Sequence, residues 1–495
     1  MSLPALEPRS RLSPLLPPSL PPPSITHRRV PERQVARRTK SSSADEPSWW
    51  PVALVFSAVA GFGSALSLHL HASLRTGMDL AIFDQAVRAL SQGEAPVSAI
   101  KGGMNLWGDH FHPAIVLLAP LYWVFDDPRA LLVAQAVMVA AAAAILVRSG
   151  QQTLGKHGGR ADGTAVTSGL CLGASMGVQG ALSFDFHEVA LAAVPLALSM
   201  ASLIAHRWTA AVWWSLPLVL VKEDMGLYVI GIALVLAWYR QWRRAVSLAV
   251  LALVWTFAVV RLVIPAIAGH AWTYAGGLTR GPLELSAAFG SSLVSAHGIG
   301  LTAVALLLAC GFWALRSPLV LVALPITLAR SVAGGHLASL GFHYDLLAQI
   351  ICFFATVDAL GRIDSRRTGT AMRFMSVVAI FSLVFGPFSW RLVTSSHDGH
   401  RPSQAADALA VVPLKAPVGV DPSLAAHASP DHPITQVVGP SELVSEALVA
   451  DWVVLDQRSR HFGGAGWVEP RVRELGSLGF EPVRTAGDFV VLHRR

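Results

Sequence analysis

The chain has 495 residues, 53% of them hydrophobic and 14% charged, with a mean hydropathy of +0.51. A soluble domain carries about 25% charged residues, so most of this chain belongs in lipid and a water-soluble globule is excluded. The formal charge of +7 is uneven: residues 1–47 hold eight Arg/Lys against four Asp/Glu, a local +4 in a Pro/Ser-rich stretch.

Residues 1–47 are expected to form a disordered cytoplasmic tail whose charges orient the first span; no nucleic-acid partner is expected. The first apolar run begins near Trp49 and reads as a signal anchor rather than a cleaved leader. Further apolar runs fall at roughly 113–125, 130–147, 164–183, 189–205, 208–221, 225–239, 245–265, 298–315, 317–329, 344–361 and 373–392. Basic residues at Arg148–Arg160, Arg207, Arg240–Arg244, Arg316 and Arg362–Arg373 mark cytoplasmic loops.

Segment 207–244 is basic at both ends and interrupted by Lys222-Glu223-Asp224. One long helix would hold three charges at mid-bilayer, so two short helices with the charges at the far face are expected. Asp126-Asp127-Pro128-Arg129 likewise splits two runs, and charge assigns 113–125 to the first outer loop, 71–128, as an interfacial helix.

The expected fold is an α-helical polytopic protein of the cell membrane with about eleven transmembrane helices, residues 48–393, and a cytoplasmic amino terminus. Residues 394–495 change composition: short β-rich runs at 417–420, 435–438, 451–455 and 488–492 and helical stretches at 403–410 and 441–450 predict a small extracytoplasmic α/β domain. Cys171, Cys310 and Cys352 all lie in apolar runs, so they are read as packing residues rather than a disulfide framework.

The topology places four polar motifs on the outer face: the loop Thr76–Pro113, Phe184–Glu188, Lys222–Asp224 and Gly341–Asp345. In the first, apolar residues at helical spacing predict an amphipathic helix over 78–91 with its stripe in the membrane surface, Asp79 at its start and Asp84 on its flank. Asp79 reads as a helix cap, as a carboxylate that deprotonates an acceptor hydroxyl, or as both.

Asp109-x-x-His112, with Asn105 and His110 beside it, has a spacing compatible with a divalent cation, with hydrogen bonds to a phosphate or sugar, or with a structural role. Asp185 and His187 alternate with aromatic residues, and Glu188 reads as a first-turn carboxylate of the next helix. Lys222, Glu223 and Asp224 read either as a self-paired hairpin tip or as groups that meet substrate. His343, Tyr344 and Asp345 anchor a helix end or line the same site, and Arg280 and Arg330 are candidate phosphate partners by type. No Walker loop, His-Glu-x-x-His or Gly-x-Ser-x-Gly elbow stands where its mechanism requires it.

The ordered motifs Asp79-Leu-Ala-Ile-Phe-Asp-Gln-Ala, Asn105-x-x-Gly-Asp-His-Phe-His-Pro, Asp185-Phe-His, Lys222-Glu-Asp and Gly341-Phe-His-Tyr resemble a bacterial family of predicted membrane proteins, domain of unknown function 2079, over roughly residues 50–460. Glu188 stands where that pattern has a proline. More distantly, the layout is similar to the integral-membrane C-type glycosyltransferases that use polyprenyl-phosphate sugars. By that similarity Asp79 takes the place of the first-loop catalytic carboxylate, His112-Pro113 that of a proline segment and Asp185 that of the second acidic position.

The resemblance implies a transferase moving a sugar from a polyprenyl-phosphate donor to an envelope acceptor on the outer face. Asp79 and Asp185 would be catalytic, with Asp84, Asn105, His110, His112, His187, Lys222, Glu223, Asp224, His343 and Tyr344 binding substrate; Asp109 and His112 are the metal candidates. The implied partners are membrane lipid and a polyprenyl-phosphate-linked sugar. A transporter of a lipid-linked or anionic solute, and a non-catalytic envelope protein, are the alternatives.

Overall fold

The computed structural model describes residues 48–155, 161–273, 291, 298–333, 342–395, 399–440, 448–459, 461–462 and 464–495. The expected tail 1–47, Arg280, Gly341 and most of the helix expected at 441–450 lie outside the described residues.

Helix α1 (Trp50–Ala72) opens on Pro51, which costs nothing in a first turn because the N–H it lacks has no partner there. Val55, Val59, Gly63, Leu66 and Leu70 bury one face, while Leu54 and Phe62 on the other stay exposed. An exposed apolar face of that length is a face for lipid. The buried face packs on α3 (Arg129–Leu154), where a Cβ at Gly63 would lie 3.3 Å from that of Ala136, so small residues let the backbones approach. A Cβ at Gly169 would lie 2.6 Å from Val147 and 2.8 Å from Val55, so only glycine lets the helix Ala161–Gly173 close on this pair.

Among the described residues five helices are long and apolar enough to cross a membrane: 50–72, 129–154, 242–268, 343–360 and 365–394. The pair Ala161–Gly173 and Met176–Leu182, bent by 50°, has the length and apolarity of either a broken sixth span or a re-entrant loop. Other expected spans are shorter apolar helices, among them 188–204, 208–220, 299–309 and 318–333. The expected eleven spans are therefore not eleven full-length helices. Where the chain carries the polar motifs it enters each following helix through a tight 3-10 turn, at Glu188–Ala192, Glu223–Met225 and His343–Asp345. Those turns and the polar loops before them take up depth that a full-length helix would otherwise fill.

Helix α2 (Met78–Ser91) forms where expected. Its apolar stripe, however, is covered by protein rather than laid on a membrane surface. Leu80, Ala81, Phe83, Ala86 and Val87 share one core with Leu131 and Leu132 of α3 and with Ala405, Leu424, Ala425 and Val454 of the carboxyl-terminal domain. A hairpin of β1 (Val97–Ser98) and β2 (Met104–Asn105) follows, then the 3-10 segment Pro113–Leu118, which leads into the turn Ala119–Tyr122.

The carboxyl-terminal sheet contains β3 (Val418–Val420), β4 (Thr435–Val437), β5 (Trp452–Asp456), β6 (Phe480–Ala486) and β7 (Phe489–Arg494) in the order β4-β3-β5-β7-β6. The three on the β4 side are parallel, and β7 pairs antiparallel with both β5 and β6. Four of these strands fall at the expected runs. The fifth, β6, is exposed over most of its length and carries Pro482 at a bulge, so neither alternation nor continuous apolarity announced it. Gly487, with φ +58°, makes the tight turn into β7. The helix Val468–Ser477 is a second element that the sequence reading missed.

Candidate functional site

The site is built on the amino-terminal end of α2. Gly77 enters the helix in extended conformation and has no side chain with which to cap it. The cap comes from Asp185 instead: Oδ1 accepts from the Gly77 amide at 2.7 Å, and Oδ2 accepts from the amides of Asp79 at 3.1 Å and Leu80 at 3.3 Å. Orphan donors at a helix start favour a carboxylate there. Burial, and then the charge of Asp79, push the Asp185 carboxyl above its ordinary value.

Relieved of capping, the Asp79 carboxylate turns outward, with a third of its side chain exposed, and its Oδ2 stands 3.3 Å from Nε2 of the buried His187. Burial opposes the charge of Asp79, but the hydrogen bond and charge of His187 outweigh it and hold the carboxyl below its ordinary value. Burial likewise opposes protonation of His187, and Asp79 outweighs it, raising that ring. The two form an ion pair with one member reachable from outside. The backbone amide of His187 donates to Oε1 of Gln135 at 3.0 Å, and Nε2 of Gln135 donates to the carbonyls of Ala181 and Asp185.

The ring of His187 stacks on His343 with centroids 3.5 Å apart and on Phe184 at 5.3 Å. His343 is buried, and among the described residues neither of its ring nitrogens has a hydrogen-bond partner. Tyr344 packs against it at 4.1 Å; its carbonyl accepts from Arg330, which also pairs with Asp345 at 2.9 Å.

Lys222 reaches Glu188 at 2.7 Å, both groups nearly or wholly buried. Burial opposes the charge on Lys222, but Glu188, Glu223 and Asp224 more than reverse it. Glu223 accepts from His110 Nδ1 at 2.6 Å and from the Phe111 amide at 3.0 Å, fastening the loop that carries His110 to the helix junction at 222–225. Burial raises Asp224 to about 6, and its Oδ1 has no hydrogen-bond partner among the described residues. The motif 222–224 is thus not self-paired: two of its three charges are answered by other loops. Burial lowers His112 to about 4, and its Nδ1 also lacks a hydrogen-bond partner among the described residues.

The structure therefore brings Asp79, Asp185, His187, His343 and Tyr344 into one contact set, with the Glu188–Lys222 and His110–Glu223 pairs bordering it. Other expected residues stand elsewhere. Asp84 is fully buried and accepts from Tyr122 at 2.7 Å, Ser429 at 2.6 Å and Arg88 at 3.0 Å, so it joins α2 to the carboxyl-terminal domain rather than facing a substrate. Asn105 caps its own turn by accepting from the Trp107 amide. Asp109 pairs with Lys101 at 3.2 Å, while His112 turns toward Phe83. Among the described residues no group of three or more His, Cys, Asp or Glu is arranged to hold a metal ion.

Sequence reasoning missed Gln135 and treated Glu188 only as a helix-start carboxylate. A lone Gln in an otherwise apolar span was the available signal, because a polar group at that depth must be bonded to something.

Crystal structures of ArnT from Cupriavidus metallidurans share this fold. The form bound to undecaprenyl phosphate matches with TM-score 0.54 at 13% identity, covering 89% of this chain and 97% of that one. The apo form matches with TM-score 0.53 at the same identity and coverage of 13%, 89% and 97%. No curated protein matches the sequence significantly. Residues 70–466 match the family described as predicted membrane protein (DUF2079), and the chain is a membrane protein that belongs to that family.

Proposed function

We propose that the protein is a membrane glycosyltransferase that moves a sugar from a polyprenyl-phosphate donor to a hydroxyl of a cell-envelope acceptor on the outer face. The observation that carries this reading is the Asp79–His187 pair: a charged carboxylate, partly open to solvent, held by a buried imidazolium at a helix start that Asp185 caps. The fold shared with a protein crystallised with undecaprenyl phosphate supports a polyprenyl-phosphate ligand.

In this reading the acceptor oxygen attacks the anomeric carbon while the bond from that carbon to the phosphate oxygen breaks. The acceptor proton passes to Asp79, and the electron pair leaves on the polyprenyl phosphate. His187 holds the carboxylate in line and ionised, and Asp185 acts through the helix start rather than on the substrate. Lys222, with Glu188 partly neutralising it, and the unpartnered His343 and Asp224 border the space where donor phosphate would lie.

The test is a deletion strain complemented with wild type or Asp79→Asn at matched membrane abundance, with mass spectrometry of envelope glycans and polyprenyl-linked intermediates. Loss of one decoration, restored by wild type but not by Asp79→Asn, is the expected result. Full rescue by Asp79→Asn would sink the catalytic role of Asp79.

A further inference from the structure

A second cavity, of about 420 Å³, lies beside the Asp79 cluster and outside it, between the end of the last membrane helix and the carboxyl-terminal domain. Its walls include Arg75, Trp390, Arg391, Arg401, Ser423 and His461. That volume falls within the ~300–1,000 Å³ of small-ligand sites.

Arg401 is answered by Asp456 and by Asp488 at 2.9 Å, and the Arg75 guanidinium donates to the carbonyl of Thr394. Arg391 differs. It is half-buried, and its guanidinium makes no hydrogen bond or ion pair among the described residues; it lies over the Phe184 ring at 5.8 Å. Asp185 attracts it, but both oxygens of that carboxylate are already engaged by backbone amides. A guanidinium carries five donors in a planar fork suited to phosphate oxygens. Two further arginines and a histidine line the same cavity, against the single carboxylate of Asp456. Trp390, 70% exposed, stands at the mouth, where tryptophan marks a membrane–water boundary.

We infer that this cavity is an anion site in which Arg391, with Arg75 beside it, takes a phosphate group, either free or on a lipid headgroup. It is separate from the Asp79–His187 pair, and the inference stands whether or not the chain transfers sugar.

The test uses the full chain purified in detergent with inorganic phosphate as probe, chloride at equal ionic strength serving as the blank. In parallel, the protein is placed in phosphatidylcholine nanodiscs with and without phosphatidic acid, and native mass spectrometry counts the retained lipid. Phosphate binding that falls about tenfold or more in Arg391→Gln, and not in the exposed Arg243→Gln, is the expected result. Retention of phosphatidic acid without inorganic phosphate binding assigns the site to a headgroup; the reverse assigns it to a free phosphate.

If Arg391→Gln does not fold, judged by its unliganded melting midpoint, Arg391→Lys decides. That variant keeps the charge and loses the fork, so a several-fold fall supports the site and unchanged affinity overturns it. Wild type that prefers neither phosphate to chloride nor phosphatidic acid to phosphatidylcholine also overturns it.

Discussion

Asp185 caps the helix that presents Asp79, although the two are 106 positions apart: the carboxylate of one accepts from the backbone amide of the other at 3.1 Å. One acidic residue thereby does structural work that frees the other to face outward.

Removing that cap has a size. Replacing an N-cap carboxylate by alanine costs about 0.5–2 kcal/mol. Asp185→Ala is expected to lower the thermal midpoint of the purified protein and to loosen the start of α2, read as faster amide exchange at Gly77, Asp79 and Leu80. Asp185→Asn keeps an acceptor oxygen and should lose less. Unchanged exchange in Asp185→Ala would show that α2 is held by packing alone.

The Asp79–His187 pair predicts a pH window. His187 is raised above its ordinary 6.5, so its contribution is complete below that value and is lost as pH rises through the raised one. Asp79 is depressed below 3.8, so its contribution is complete above that value and is lost as pH falls through the lowered one. The stability gap between wild type and His187→Gln should therefore be widest between those ordinary values and shrink above them. A gap that grows from neutral to alkaline pH would contradict the pair.

The buried Lys222–Glu188 pair should behave asymmetrically. Breaking such a pair from one side leaves an unanswered charge and costs about 3–5 kcal/mol, whereas replacing both partners with apolar residues of similar volume costs far less. Lys222→Met and Glu188→Leu should each lower the melting midpoint more than the double variant does. Simple additivity of the two would show that the groups are independent.

Docking of the carboxyl-terminal domain is expected to depend on Asp84. Its bond from Ser429, 2.6 Å long, is charge-assisted, and losing such a bond costs about 1.5–3 kcal/mol. Ser429→Ala should expose the domain boundary to limited proteolysis sooner than a Ser403→Ala control at an exposed helix end. Equal cleavage rates would assign docking to the apolar core alone.

What the sequence by itself determined follows from local rules. Hydropathy separated lipid from water, charge and proline marked the breaks, and short β-rich runs located four of the five carboxyl-terminal strands. The helix at 78–91 was legible because its apolar residues repeat every three or four positions. The four polar motifs were legible because ionisable residues are rare in apolar surroundings. Short helices entered through 3-10 turns were not, since an apolar run has the same composition whether it is seventeen residues deep or twenty-two.

Only the tertiary structure decided what each polar residue does, because partners more than a hundred positions apart are set by packing and not by spacing. Asp84 and Asp79 sit on one helix, five residues apart, and are the same residue type. Packing places one beneath the carboxyl-terminal domain, against Ser429 and Tyr122, and the other beside His187 with its edge in water. Asp109 and His112 have a ligand-like spacing, yet the turn between them sends one to Lys101 and the other to Phe83. The same packing brings Arg75 around one cavity with Arg391 and Arg401, which lie in a distant part of the chain.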